Sequence, residues 1–162
     1  MSKAAKGFPP VLDAKVETLI LGSFPSKQSL EKAEYYAHTQ NQFWRLVGAA
    51  IGEDMPREMA YVQRKRILLK HHIGLWDVIG ACEREGSLDS NIRNQRENDF
   101  AFLQRRAKRL SRIFFNGKKA AEAEPAFQAK YETIVLPSSS PANTMRFEEK
   151  RRHWQQLARP AC

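Results

Sequence analysis

Apolar positions along the chain follow two periods. Val16 to Leu21, VETLIL, is a short β-rich apolar run stopped by Gly22 and Pro25, the pattern of a buried strand that ends in a Gly-Ser-Phe-Pro-Ser turn. From Asn41 the period lengthens: NQFWRLVGAAIG sets Phe43, Leu46, Val47, Ala50 and Ile51 at helical spacing, and a second helical pattern covers about Glu58 to Lys70. Ile73 to Ile79, IGLWDVI, reads as a second strand. A basic, acid-free stretch from Ala101 to Arg112 leads into a third, Ile113-Phe114-Phe115, followed by Asn116-Gly117 and a helical stretch to about Ala129. Glu132 to Leu136, ETIVL, is a fourth strand. After the loop Pro137 to Asn143, Phe147 to Leu157 closes the chain as a helix.

Short apolar strands alternating with helices predict an α/β domain, a parallel sheet covered by helices on both faces. Ligands of such sheets bind outside the carboxyl ends of the strands, so Gly22 to Ser26, Asp77 to Ser90 and Pro137 to Asn143 are expected to converge on one crevice. No repeat, low-complexity tract or linker interrupts the pattern, and 162 residues suit one domain, read as 1–162 with 1–14 a frayed N-terminal segment.

Charge adds a partner. Lys plus Arg number 27 against 18 Asp plus Glu, a formal net charge of +9 that points to a polyanion, nucleic acid first. No apolar run is long enough to cross a bilayer and the first ten residues, MSKAAKGFPP, lack the apolar stretch of a secretory signal, so the expected place is the cytoplasm. Two cysteines, Cys82 and Cys162, cannot make a four-cysteine metal or iron-sulfur site, and a reducing compartment favours free thiols. The sequence lacks GxxxxGK[ST], GxSxG, HExxH and GxGxxG, which removes support for the common nucleotide and hydrolase readings.

Five longer blocks remain: Leu21 to Ser26 (LGSFPS), Tyr35 to Trp44 (YYAHTQNQFW), Gly74 to Ile79 (GLWDVI), Gly86 to Ser90 (GSLDS) and Leu136 to Asn143 (LPSSSPAN). In this order they resemble the uracil-DNA glycosylase superfamily, and within it the hypoxanthine-DNA (DNA-deoxyinosine) glycosylase branch, counted as its sixth family. The resemblance covers about residues 16–158. It implies an α/β/α sandwich around a four-stranded parallel sheet, no metal or organic cofactor, and hydrolysis of the N-glycosidic bond of a damaged base. The base must be flipped out of the stack into a pocket with an aromatic face, groups that read its edge, and donors that stabilise the departing anion while a polar group positions water.

The resemblance also implies roles. Mismatch-specific relatives carry Gly-x-Asn-Pro-Gly in the first loop, whose Asn positions water. Phe24 stands there in this chain and cannot do so. The implied catalytic residue is Asn41, which as a residue type equally suits the cap of the following helix. Tyr36 matches the aromatic that stacks on the flipped base, and Gly22, Ser23 and Phe24 would supply backbone or apolar contact; Tyr36 and Phe24 could equally be core. Asp77 stands where several relatives use Asn to read the base. An ionised carboxylate there would accept the N1-H of hypoxanthine, or else Asp77 caps the strand end or pairs with Arg84. Ser138, Ser139 and Ser140 match the loop that pinches phosphates, with Pro141, Asn143 or Met145 at the minor groove and Ser26 and Arg146 as further DNA contacts, although Ser-Pro loops are also ordinary turn chemistry. Leu136 replaces the His with which relatives open that loop. Two basic clusters, Arg105 to Arg112 with Lys118-Lys119, and Arg146 with Lys150 to Arg152, are either phosphate contacts or solvated faces. No metal site follows from His38, His71-His72 and His153.

The expectation is a monomeric, cofactor-free glycosylase acting on double-stranded DNA that holds a deaminated base, hypoxanthine first. Uracil or xanthine in mismatches, or a nucleic-acid-binding module without activity, are the alternatives.

Overall fold

The computed structural model describes residues 4–160, so the expectation for the Cys162 thiol lies outside the described residues; Cys82 is buried and free. In chain order the elements are β1 (Ala4–Lys6), β2 (Thr18–Gly22), α1 (Lys27–Lys32), α2 (Phe43–Ile51), α3 (Tyr61–Lys70), β3 (Ile73–Asp77), β4 (Ile79–Glu83), β5 (Arg93–Glu97), α4 (Ala101–Arg106), β6 (Arg112–Asn116), α5 (Lys118–Ala121), β7 (Glu132–Leu136) and α6 (Phe147–Trp154), with 3-10 turns at Asp89–Asn91, Glu124–Ala126 and Gln155–Ala158.

The central sheet is parallel, in the order β3-β2-β6-β7. Because side chains alternate along a strand, the continuous apolar runs feed two cores. Leu19, Leu21, Ile113 and Phe115 point to one face, where they meet Leu103, Ala107, Ala120 and Phe127 from α4, α5 and the chain after it. Ile20, Ile73, Leu75 and Phe114 point to the other, against Phe43, Leu46, Val47, Leu68 and Trp154 from α2, α3 and α6. The result is the three-layer α/β/α sandwich that the alternation of strands and helices predicts.

Three elements depart from the sequence reading. IGLWDVI is two strands: after Asp77 the chain turns, with Val78 N donating to Gly22 O (2.8 Å) and Ile79 N to Ser23 O (3.0 Å), and continues as β4 in a second, antiparallel sheet of order β1-β4-β5. Segment 1–14 is not frayed over its described part. Ala4–Lys6 pairs with β4, Val11 exchanges two backbone hydrogen bonds with Leu75 (2.8 and 3.0 Å), and Phe8 O accepts from Trp76 Nε1 (3.3 Å). The helix expected to reach Ala129 stops at Ala121, and Pro125 sits in the 3-10 turn that follows, a residue that cannot continue an α-helical ladder.

Candidate active site

Gly22, Asp77, Asn116 and Leu136 are the last residues of the four parallel strands, and the loops that follow them meet there. A Cβ on Gly22 would stand 2.7 Å from Asp77 Oδ1 and 2.8 Å from Tyr36 Oη. Glycine is therefore needed at Gly22 for close approach: two polar groups converge on its bare face.

Tyr36 holds a left-handed backbone, φ 57°, costly for an aromatic residue and kept because its neighbours are pinned. Tyr35 N donates to Tyr61 Oη (3.1 Å), Trp44 Nε1 donates to Tyr35 O (3.2 Å), and Ala37 N donates to Ser29 Oγ (3.0 Å). The Tyr36 ring stacks on Phe43 with centroids 3.8 Å apart and planes 14° from parallel. Its hydroxyl is buried without a hydrogen bond of ordinary geometry, and burial, reinforced by Asp77, raises its pKa, with the Asn116 side chain pulling partly the other way.

Asp77 is 4% exposed, and its Oδ2 has no hydrogen-bond partner. Burial first and then the nearby Asp89 carboxylate push its pKa up to about 8, against the opposing pull of Arg84. An uncompensated carboxylate in such a place neutralises, so Asp77 is mainly a carboxylic acid at neutral pH. This corrects the ionised acceptor expected from sequence: the group carries one donor as well as acceptors. Nor does Asp77 pair with Arg84. That guanidinium donates to the backbone oxygens of Pro25 and Gly86 and lies 5.3 Å over the Phe24 ring. The first two loops are stitched together further by Ser23 Oγ donating to Asp89 Oδ1 (2.7 Å) and Lys27 N donating to Ser87 Oγ (2.9 Å).

The third loop joins Asn41. Asn41 Oδ1 accepts from Phe43 N (2.9 Å) and from Ser139 Oγ (2.8 Å), so from the position before the Gln42 N-cap it holds the first N–H of α2 and belongs to a polar network at once. A backbone N–H can only face the amide oxygen, which fixes the orientation of the group and leaves Nδ2 as the donor for a ligand. Asn116, buried at the end of β6, locks Ser139 from below: its Nδ2 donates to Ser139 Oγ and Ser139 N donates to its Oδ1, both 2.9 Å. Sequence reading passed over Asn116. A polar residue closing an apolar strand at the ligand-binding end of the sheet was the available signal.

Asn41 also lines an open groove of about 840 Å³ with Tyr36, His38, Arg45, Arg57 and Phe147. Two clusters thus stand at one end of the sheet, Gly22 with Asp77 and Asn41 with Ser139 and Asn116. Tyr36 spans them through its hydroxyl at Gly22 and its ring on Phe43.

Other predicted residues lie elsewhere. The Phe24 ring is 7% exposed in the core, which leaves only its backbone for contact. Ser26 caps α1, accepting from Ser29 N (3.1 Å). Ser139, expected among the DNA contacts, is 1% exposed and serves the interior network instead. Ser138 and Ser140 accept from Ser140 N and Ala142 N (both 3.1 Å), and Asn143 Nδ2 donates to Ser138 O (3.1 Å), so the loop is held by its own bonds while these residues stay partly exposed. Arg146 is exposed beside Glu149. Lys150, assigned with Arg151 and Arg152 to a basic cluster, is buried, and Leu136 is core. Among the described residues no group of three or more His, Cys, Asp or Glu side chains could hold a metal ion.

Known proteins resemble this chain across nearly its whole length. A protein of Methanosarcina acetivorans named hypoxanthine DNA glycosylase is 48% identical over 155 residues, 95% of this chain and 98% of its own. Another of that name from Methanosarcina barkeri is 45% identical over 150 residues, covering 92% and 94%. A solution NMR structure of a candidate uracil DNA glycosylase from Methanosarcina acetivorans superimposes with a TM-score of 0.87 at 46% identity, over 96% of this chain and 98% of that one. Residues 9–159 match the family model described as the uracil DNA glycosylase superfamily, and with relatives this similar along their full length the chain belongs to that superfamily.

Proposed function

We propose that the protein removes hypoxanthine from double-stranded DNA, flipping the deaminated nucleotide into the crevice and hydrolysing its N-glycosidic bond. The observation that carries this reading is the pair of polar clusters at the carboxyl end of the sheet, in a chain whose relatives at 48% and 45% identity are named for that base.

Each cluster has a task. Neutral Asp77 offers a carbonyl oxygen to the N1-H of hypoxanthine and a hydroxyl to its O6, the pairing an amide would make, and the bare face of Gly22 lets the Asp77 carboxyl and the Tyr36 hydroxyl converge there. The flipped base lies against Tyr36, whose place the Phe43 stack fixes. Cleavage builds positive charge on the sugar and negative charge on the base. Asn41 orients water at the sugar carbon, with its oxygen already committed to Phe43 N and Ser139 Oγ and so unable to wander. Ser138, Ser140, Asn143 and Arg146 contact the backbone of the duplex. The residues reach these ends with no metal, and the chain acts as a monomer.

Duplexes bearing single hypoxanthine, uracil, xanthine or ethenocytosine residues, treated with enzyme and then alkali, test the proposal on one gel. Strand cleavage first and fastest at hypoxanthine is the expected result. Faster cleavage at uracil transfers the reading to the uracil branch, and binding without abasic product at any of the four overturns it.

A further inference from the structure

We infer that Lys150 is a positioning residue: its buried ammonium clamps the Pro137 to Asn143 loop to the start of α2 and so holds the Asn41 amide in place. The inference rests on the reading of Asn41 as the water-orienting group.

Lys150 is 1% exposed, the only charged side chain among the largest fully buried ones of the described residues. The acids of its own helix are engaged by arginines, Glu148 with Arg151 at 3.0 Å and Glu149 with Arg146 at 3.6 Å. Lys150 Nζ instead donates to Gln42 Oε1 (2.9 Å) and to Ser140 O (3.3 Å). Both acceptors are neutral, so no Coulomb partner offsets the cost of taking the charge out of water, and burial pulls its pKa down. A methionine of similar length would pack there without that cost. What the charge adds is direction, because two charge-assisted hydrogen bonds fix two acceptors on different elements.

Those acceptors adjoin Asn41 and its partner Ser139 in sequence. Gln42 follows Asn41, Ser140 follows Ser139, and Gln42 N itself donates to Ser139 O (3.0 Å). The ammonium therefore bridges the seam across which Ser139 Oγ donates to Asn41 Oδ1 (2.8 Å). Without the clamp, the loop and the start of α2 are left joined by the Gln42 N to Ser139 O and Ser139 Oγ to Asn41 Oδ1 bonds alone, and the amide is held less firmly at its angle to the sugar.

The test uses the full chain and four variants: Lys150→Met, Gln42→Ala, the double substitution, and Asn41→Ala. The readouts are single-turnover hypoxanthine excision at saturating enzyme, the salt dependence of binding to undamaged duplex, and Tm. Lys150→Met should slow excision about tenfold to a hundredfold, the scale of a small displacement of a reacting group, with DNA affinity and salt slope unchanged. Gln42→Ala should slow it similarly, and the double variant should be no slower than the slower single one, since both break the same clamp. A folded Lys150→Met with the wild-type rate overturns the inference. So does a lowered salt slope with an intact rate, which would make Lys150 a phosphate contact, or a double variant whose losses multiply. Should Lys150→Met not fold, Gln42→Ala decides alone, and its wild-type rate overturns the clamp. Asn41→Ala separates the two levels: if it excises like wild type, the Asn41 assignment falls and this one with it, whereas an inactive Asn41→Ala beside a fully active Lys150→Met removes only the clamp.

Discussion

At the scale of single residues, Asp77 shows most clearly how burial decides chemistry. A carboxylate reads a base edge only as an acceptor, while a neutral acid presents a donor and an acceptor together, and 4% exposure with an unpartnered Oδ2 selects the acid. Its pKa in the folded protein, pushed up to about 8, exceeds the ordinary carboxylate value, so the native state holds a proton that the unfolded chain has released. The stabilisation this gives is fully present below the carboxylate range and is lost as pH rises toward about 8. The Tm of the wild type should accordingly fall between about pH 5 and pH 8, and that of Asp77→Asn should fall less. Excision should lose rate as pH rises through the same upper limit, and Asp77→Asn, an amide with the same donor and acceptor pair, should flatten that limb while keeping more activity than Asp77→Ala. Hypoxanthine's own N1-H titrates identically for every variant, so the difference between their profiles isolates the enzyme group. Wild-type and Asp77→Asn profiles that coincide would sink the assignment.

At the scale of elements, the start of α2 carries both a structural and a chemical load, and Asn41→Ala separates them. Loss of the bond to Phe43 N costs about 1 kcal/mol, a few degrees of Tm, whereas loss of the water-orienting amide should lower single-turnover excision by roughly two orders of magnitude or more. Ser139→Ala keeps the bond from Phe43 N but removes the hydroxyl that joins Asn41 Oδ1 to Asn116 Nδ2, so it should cost about tenfold. Stopped excision assays with parallel melts check both. These elements were largely legible in the chain, and the reason is apolar content. VETLIL and IFF announce inner parallel strands because both faces of the sheet are covered there, ETIVL announces the edge strand although its Val135 is exposed, and NQFWRLVGAAIG announces α2 because one face packs on the sheet. The antiparallel sheet was not legible. β5, RNQRE, is exposed along its length and β1 is Ala-Ala-Lys, so their pairing comes from backbone hydrogen bonds that leave no hydrophobic pattern. The site was half legible. Asn41, Tyr36 and Asp77 lie in blocks that the resemblance singled out, whereas Asn116 and Lys150 act through burial, and a single Asn at a strand end or a Lys among arginines gives no sign of it.

At the scale of the whole molecule, basic residues stand at both ends of the sheet. Lys118 opens α5 just beyond the carboxyl end of β6, and Arg146 precedes α6 beside the serine loop, so both stand at the crevice end. Lys108 and Arg109 lie before the other end of β6, where Ser111 N donates to Glu17 O (3.0 Å) ahead of β2. A five-residue strand separates the ends by roughly 17 Å, more than a Debye length at physiological salt. A duplex seated over the crevice therefore reaches the first pair and not the second. Lys118→Glu and Arg146→Glu should each weaken binding to undamaged duplex several-fold and lower the slope of log affinity against log salt by about one, while Lys108→Glu and Arg109→Glu leave that slope unchanged. Fluorescence anisotropy across a salt series measures all four. Equal losses at the two ends would mean that DNA runs along the side of the sandwich rather than across its carboxyl end, and would move the phosphate contacts away from the Ser138 to Asn143 loop.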